Sequence, residues 1–145
     1  AALPLSNMAQ VVTSGEQPAR PPEAIFGSEP PHLWCYYFEK ADLARSAGDW
    51  TEVVRLGDEA FSVPYYPNNL SEYLPFIEGY ARVGRIQDAG KLTTDTAQQM
   101  PILKPALCAI WQRIAADGLL SGSDRSMAGQ IQMDLRYCPM ESGNE

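Results

Sequence analysis

A short turn that ends in glycine and leads directly into a new helical pattern occurs twice in this chain. The copies are AGDWTE at residues 47–52 and VGRIQD at residues 83–88, so Gly48 and Gly84 stand 36 residues apart. Apolar residues at helical spacing precede and follow each turn. A helix–turn–helix unit repeated at about this length is typical of α-helical repeat proteins. The spacing therefore predicts an all-α fold of antiparallel helix hairpins.

The apolar stripes predict six helices, which group into about three pairs. Gly57 and Ala60 are small enough to let the first two helices approach closely. The third pair is expected to be a degenerate terminal unit, as at the ends of repeat arrays. The predicted helices cover about residues 31–47, 50–61, 70–83, 86–99, 102–117 and 123–137.

Capping residues are predicted at three helix starts. Asp49 is placed to cap the second helix, with Glu52 completing a capping box. Asn69 and Glu72 offer the same combination before the third helix. The last helix is expected to be capped within Ser123–Asp124.

The chain also divides by composition. Residues 1–31 are predicted to be an extended, Pro-rich arm, because five prolines between residues 18 and 31 remove amide donors and favour extended neighbours. Residues 32–138 form the predicted helical domain, and residues 139–145 a polar tail. The chain begins Ala1-Ala2 without methionine, and we expect an excised piece of a longer protein.

Length and charge exclude several kinds of protein. A chain of 145 residues has room for one domain with one hydrophobic core. Its net charge of -7 and pI near 4.6 argue against a nucleic-acid surface, which depends on lysine and arginine. No run approaches the roughly 20 apolar residues of a membrane span.

Catalytic and metal sites are not expected. His32 is the only histidine, so a Ser/His or Cys/His pair has just one place to form. Carboxylate pairs such as Glu39 with Asp42 fit a solvated helix face. No cluster has the ligand spacing of a zinc or calcium site, and no glycine-rich loop carries the residues that hold a phosphate. The sequence predicts no catalytic residues, no metal and no cofactor.

Three cysteines are present: Cys35, Cys108 and Cys138. The odd number fits reduced, buried thiols in the cytosol, and it also fits one disulfide with a spare thiol in an oxidising compartment. Cys108 and Cys138 are the candidate disulfide, which would hold the last helix against the fifth. The alternatives are two buried thiols or a bond between Cys35 and Cys108.

The first two units resemble tetratricopeptide repeats. The resemblance covers about residues 32–101 and continues to 137. Departures are Lys40 in place of an apolar residue, Val53 in place of a small one and Gly57 in place of an aromatic one. The matching positions are Tyr37, Ala41, Ala44, Gly48-Asp49-Trp50, Ala60 and Pro67 in the first unit, and Tyr73, Phe76, Tyr80, Gly84, Ala89 and Pro101 in the second.

A narrower resemblance rests on four segments: ALPLSN at 2–7, ARPP at 19–22, WCYYFEKADLA at 34–44 and PFIEGYA at 75–81. They look like the C-terminal soluble domains of bacterial multi-span membrane proteins described as glycosyltransferase-like. This resemblance implies an extracytoplasmic domain whose partner is the rest of its own parent protein. A cytosolic tetratricopeptide-type adaptor is the alternative.

The tetratricopeptide resemblance also implies a binding groove, because the first helices of stacked pairs line a concave face. Arg45 and Arg82 have the geometry to grip a carboxylate, although Asp42 and Glu78, one turn earlier, offer ion pairs within each helix. The implied groove residues are Phe38, Asp42, Arg45, Leu74, Glu78, Ala81 and Arg82.

A second candidate contact site is the Pro-bounded loop that carries Tyr65 and Tyr66. The function predicted from all these features is a non-enzymatic, extracytoplasmic protein-interaction module that binds a peptide or a neighbouring domain. The alternative is an accessory domain of a membrane glycosyltransferase, in which the tyrosine pair contacts glycan or lipid-linked sugar.

Overall fold

The computed structural model describes residues 22–28 and 30–138, and all regular structure in these ranges is helical. The predicted all-α class is therefore confirmed for the described residues. The chain divides into two units, residues 1–32 and 33–145. Most of the predicted arm and the predicted tail at 139–145 lie outside the described residues.

In the first unit the described residues contain one helical turn, α1 (Glu23–Phe26), where the sequence predicted extended chain. Pro22 precedes it with φ near the helical value, and its carbonyl accepts hydrogen bonds from the amides of Ile25 and Phe26. The turn ends at Gly27, whose φ is +76°. Proline thus begins a helix here rather than preventing one, as its fixed φ allows at a first turn.

The second unit contains the other helices. A 3₁₀ turn, Leu70–Tyr73, leads into α4, and another, Pro101–Leu103, leads into α6. Helix α5 has the predicted bounds, whereas α2 begins at Trp34 instead of near Pro31. The helices are α2 (Trp34–Ser46), α3 (Trp50–Ala60), α4 (Leu74–Arg82), α5 (Ile86–Gln99), α6 (Lys104–Ala116) and α7 (Gly122–Leu135).

Three of these helices, α2, α4 and α6, end in the same way. A glycine in the left-handed region follows each one, and φ is +75° at Gly48, +83° at Gly84 and +70° at Gly118. The amide after each glycine returns to a carbonyl five residues earlier, which is the Schellman pattern. These hydrogen bonds run from Asp49 to Ala44 (2.9 Å), from Arg85 to Tyr80 (2.8 Å) and from Leu119 to Ile114 (3.4 Å).

The predicted caps are present in part. Asp49 accepts a hydrogen bond from the Glu52 amide at 3.0 Å, but the Glu52 carboxylate pairs with Arg55 instead of closing the box. Asn69 accepts from the Ser71 amide. The α7 cap is Ser121, two residues before the predicted one.

Glu72 does not complete the second predicted box. Its carboxylate accepts a hydrogen bond from the Trp34 indole at 2.6 Å. This contact joins the first turn of α2 to the 3₁₀ turn before α4. Trp34 also packs edge-on against Phe61, Tyr73 and Phe76, with ring centroids 5.2, 5.5 and 5.7 Å away.

The core lies between the helices of the second unit, and two glycines allow its closest contacts. A Cβ at Gly79 would lie 2.5 Å from Cγ1 of Val53, and one at Gly57 would lie 2.9 Å from the Phe76 ring. Helix α4 therefore packs against α3 at nearly backbone distance. It also contacts α2, α5 and α6, so it is the central helix of the unit.

The last helix packs on α5, with the Ile131 side chain lying over Gly90. Its link to α6 is different in kind. Cys108 in α6 and Cys138 just after α7 form a disulfide, and the Lys104 ammonium donates to the Leu135 carbonyl at 2.7 Å. The end of α7 is thus held to α6 by a hydrogen bond, and the segment after α7 by a disulfide.

Candidate functional site: a groove across three helices

A groove of about 350 Å³ crosses the face formed by α2, α4 and α6. These are the three helices of the second unit that end in a left-handed glycine. Helix α4 lies between the other two and contacts both. The lining residues are Phe38, Asp42, Arg45, Ser71, Leu74, Pro75, Glu78, Ala106, Ala109, Ile110 and Arg113.

The apolar part of the lining comes from all three helices. Phe38 and Leu74 are half-buried, and Ile110 is buried below them. On α6, Ala106 and Ala109 present only methyl groups, so the groove is open along this side. Such a surface can receive an apolar side chain without first losing a protein contact.

Glu78 is the central charge of the groove, and it is only 4% exposed. Its carboxylate accepts hydrogen bonds from Arg82 at 3.1 Å and from Arg113 at 2.9 Å. The Arg113 contact spans 35 residues and joins α4 to α6. Removing one partner of a buried ion pair leaves an uncompensated charge and costs about 3–5 kcal/mol when both partners are buried. Arg113 is half exposed, so removing it should cost less than this.

Arg82 does not line the groove, although the tetratricopeptide resemblance implied that it would. Its guanidinium pairs with Glu78, with Asp117 at 2.9 Å, and lies 4.5 Å above the Trp50 ring. Ala81, also assigned to the groove, is fully buried in the core. One helix position is a rotation of about 100°, so neighbouring residues on α4 face different surroundings.

Arg45 and Arg82, which could grip a carboxylate of a ligand, are both engaged in ion pairs here. Arg45 pairs with Asp42 at 2.8 Å, which is the ion pair within the helix considered as the alternative. Arg113 is a cation of the groove that was not predicted from the sequence. The available signal was its place in the last turn of a helix, which it shares with Arg45 and Arg82. A cation there is favoured by the helix dipole.

The groove therefore unites five of the predicted site residues, Phe38, Asp42, Arg45, Leu74 and Glu78. It adds a third helix, α6, whose four lining residues were not predicted. All four charged side chains of the lining, two carboxylates and two guanidiniums, are in ion pairs. The charges of the groove are thus nearly balanced, so a ligand would bind there mainly through contact with its apolar side chains.

Tyr65 and Tyr66 lie elsewhere, in the loop after α3, and are 56% and 69% exposed. Tyr66 lines a second depression, which borders α3 and α5. Tyr65 lines neither of these two surfaces. The predicted tyrosine pair is therefore not part of the groove.

The disulfide between Cys108 and Cys138 lies on the side of α6 away from the groove, because Cys108 is about half a turn from Ala106 and Ile110. Cys35 is an exposed free thiol. In residues 22–28 and 30–138, no group of three or more histidine, cysteine or acidic side chains has the geometry to hold a metal ion. No helix in the same ranges is long and apolar enough to cross a membrane.

Comparison with known proteins adds no relative to this description. No protein family matches the sequence, and searches of curated proteins and of solved structures find no significant match.

Proposed function

We propose that this chain is a non-enzymatic helical-repeat module that binds a short peptide segment in the groove across α2, α4 and α6. The observation that carries the proposal is the groove itself. Three helices, each ended by the same glycine turn, contribute to one apolar floor.

The repeated helix ends support the helical-repeat part of the proposal. Gly48, Gly84 and Gly118 follow one another at 36 and 34 residues, close to the length of a tetratricopeptide unit. In this arrangement α2, α4 and α6 are the first helices of three successive pairs, and α3, α5 and α7 are the second helices. The third pair departs most, since α7 packs on α5 and reaches α6 chiefly through the disulfide.

The lining of the groove indicates the chemistry of the peptide. A volume of about 350 Å³ is at the small end for ligand sites, so a few side chains of an extended segment fill it. An apolar residue of the peptide packs on Phe38, Leu74 and Ile110, and neutral polar groups flank it. Because the lining charges are already paired, a strongly charged peptide gains little here.

The disulfide supports a place outside the cytosol, since disulfides persist in oxidising compartments. We place the domain on the extracytoplasmic side of a bacterial membrane, as part of a membrane protein. The peptide segment then comes from the rest of that protein or from a neighbouring protein of the envelope.

Selection from a random peptide library displayed on phage tests the groove. Enriched peptides are labelled, and fluorescence anisotropy gives Kd for the unchanged chain and for Ala109→Trp. Ala109 is exposed on α6 and lines the groove, so an indole there occupies the ligand space without entering the core. We expect binding at least about tenfold weaker, or about 1.4 kcal/mol.

Ala116→Trp is the matched control, because Ala116 is exposed on the same helix and does not line the groove. It should leave Kd unchanged. A selection that enriches no peptide, or peptides that bind the Ala109→Trp protein as tightly as the unchanged one, would overturn the proposal.

A further inference from the structure

A second depression, of about 450 Å³, is lined by residues of α3 and α5, by Tyr80 of α4 and by the segment between α3 and α4. No residue lines both this depression and the groove, so the two surfaces are separate. Aromatic rings and charged side chains alternate around the second depression. Those that matter below are Asp58, Tyr66, Tyr73, Arg85, Lys91 and Asp95.

Tyr73 is the most informative of these residues. It is only 8% exposed and lines the depression, yet its hydroxyl makes no hydrogen bond within the described residues. In the described residues, the buried side-chain polar atoms without a hydrogen-bond partner are Thr96 Oγ1 and Tyr137 Oη. The Tyr73 hydroxyl is not one of them, so it reaches the surface of the depression. Its ring is fixed by packing on Trp34 and Phe61 at centroid distances of 5.5 and 5.4 Å. The hydroxyl is thus held in place and open to a ligand atom.

The charges around Tyr73 are unequal. Arg85 donates to Asp58 at 2.7 Å and to Asp88 at 2.7 Å, so one cation serves two carboxylates. Arg85 also lies 4.4 Å above the Tyr80 ring and is thereby fixed on three sides. Asp95 forms no ion pair within the described residues, and neither does Lys91, which is exposed at the edge. Three carboxylates therefore face two cations, one of which is already engaged.

We propose that this depression binds an organic cation, an alkylammonium or guanidinium group, between the Asp95 carboxylate and the rings of Tyr66 and Tyr73. The carboxylate supplies the charge-assisted hydrogen bond, and the tyrosine rings supply cation–π attraction. This site is additional to the peptide groove and does not depend on it.

The electrostatic field at Tyr73 agrees with a cation. Burial raises the pKa of the Tyr73 phenol, and the negative charge of Asp95 raises it further. The same negative potential that opposes ionisation of the phenol attracts a positive ligand. Because Asp95 forms no ion pair within residues 22–28 and 30–138, the ligand does not have to displace one.

Titration with butylguanidinium, followed by two-dimensional ¹H–¹⁵N NMR, tests the inference. The amides of residues 88–95 are expected to shift and to saturate at millimolar concentration, as the size of the ligand allows. Butylurea, a neutral molecule of nearly the same shape, should bind at least about tenfold more weakly. If butylurea or the neutral sugar maltose binds as tightly, the site recognises shape or hydroxyl groups and the inference is wrong.

Two substitutions with opposite expected signs make the test sharper. Asp95→Asn should weaken the binding of butylguanidinium by about fivefold, and Lys91→Met should strengthen its binding by about twofold, as expected for partly exposed charges. Asp134→Asn removes the same charge from α7, where Asp134 contacts Gln130, and should change nothing. Equal effects of Asp95→Asn and Asp134→Asn would mean diffuse attraction by an acidic chain and no site.

The source of the cation is decided by comparing butylguanidinium with the capped tripeptide Gly-Arg-Gly. Tripeptide binding about tenfold tighter would identify an arginine side chain of a partner protein as the ligand. Equal or weaker binding of the tripeptide would identify a free small cation.

Discussion

Reduction of the disulfide between Cys108 and Cys138 should destabilise the fold by an amount that follows from its place in the chain. The bond closes a segment with a sequence separation of 30 residues. The chain-entropy relation for a loop of that length gives a loss of about 12 cal/mol/K in the unfolded chain, or about 3.7 kcal/mol at 25 °C. Folded domains are typically stable by about 5–15 kcal/mol, so this is a large part of the total.

Reduction should act by raising the entropy of the unfolded chain, because other contacts hold the folded structure together without the disulfide. Both cysteines are nearly buried, at 5% and 7% exposure, and Tyr137 beside Cys138 is 2% exposed. The hydrogen bond from Lys104 to the Leu135 carbonyl also remains. The reduced chain should therefore show the same helical content before the transition.

Equilibrium unfolding in urea, followed by circular dichroism with and without a phosphine reductant, measures the difference. With a slope of about 1.5 kcal/mol/M, the midpoint should fall by about 2.5 M on reduction. Cys35→Ser is the control, because this exposed thiol takes no part in the bond. Midpoints that agree within about 0.3 M would refute the reasoning, since the bond would then constrain nothing in the unfolded chain.

Two further predictions concern packing and charge. Gly79→Ala should lower the free energy of unfolding, measured in urea, by about 1–3 kcal/mol, because the new Cβ would lie 2.5 Å from Val53. Adding Val53→Ala to this variant should relieve the clash. Gly129→Ala is the control: nothing lies within 4 Å of its Cβ, so it should raise the free energy of unfolding by about 0.5–1 kcal/mol. Burial acts to raise the pKa of Asp58, but the hydrogen bonds from Arg85 and Tyr80, together with the positive charge of Arg85, outweigh it and leave this pKa below its usual 3.8. The stabilisation is therefore present above pH 3.8 and lost as pH falls through the folded-state pKa; Asp58→Asn should flatten the acid decline, and equal pH profiles would contradict this.

Several features encoded within one helical turn were predicted correctly from the sequence. The glycine ends at Gly48 and Gly84, the Asp49 cap and the bounds of α5 depend on residues within five positions of one another. The Glu72 contact could not be found in this way. Its partner, the Trp34 indole, is 38 residues away, and only packing of the two segments brings it near.

The same distinction applies to the groove. Phe38, Leu74 and Glu78 were assigned from a resemblance that covers two helix pairs, and they line the groove. The contribution of α6 was missed because its sequence follows the repeat pattern least. Ala81 and Arg82 were misplaced, since the rotation of α4 about its axis is set by Gly79 packing on Val53, a contact that periodicity does not specify.

The two surfaces differ in a way that separates their proposed ligands without any substitution. In the groove Arg45 and Arg113 are already paired with carboxylates, so a peptide gains mainly apolar contact there. In the second depression Asp95 forms no ion pair within the described residues, so charge contributes directly to binding. Salt screens partly exposed charges over about 8 Å at 0.15 M and affects apolar burial little. Raising the salt concentration should therefore weaken the binding of the organic cation and leave the binding of the peptide nearly unchanged. That result would show that the helical unit carries two sites with different chemistry.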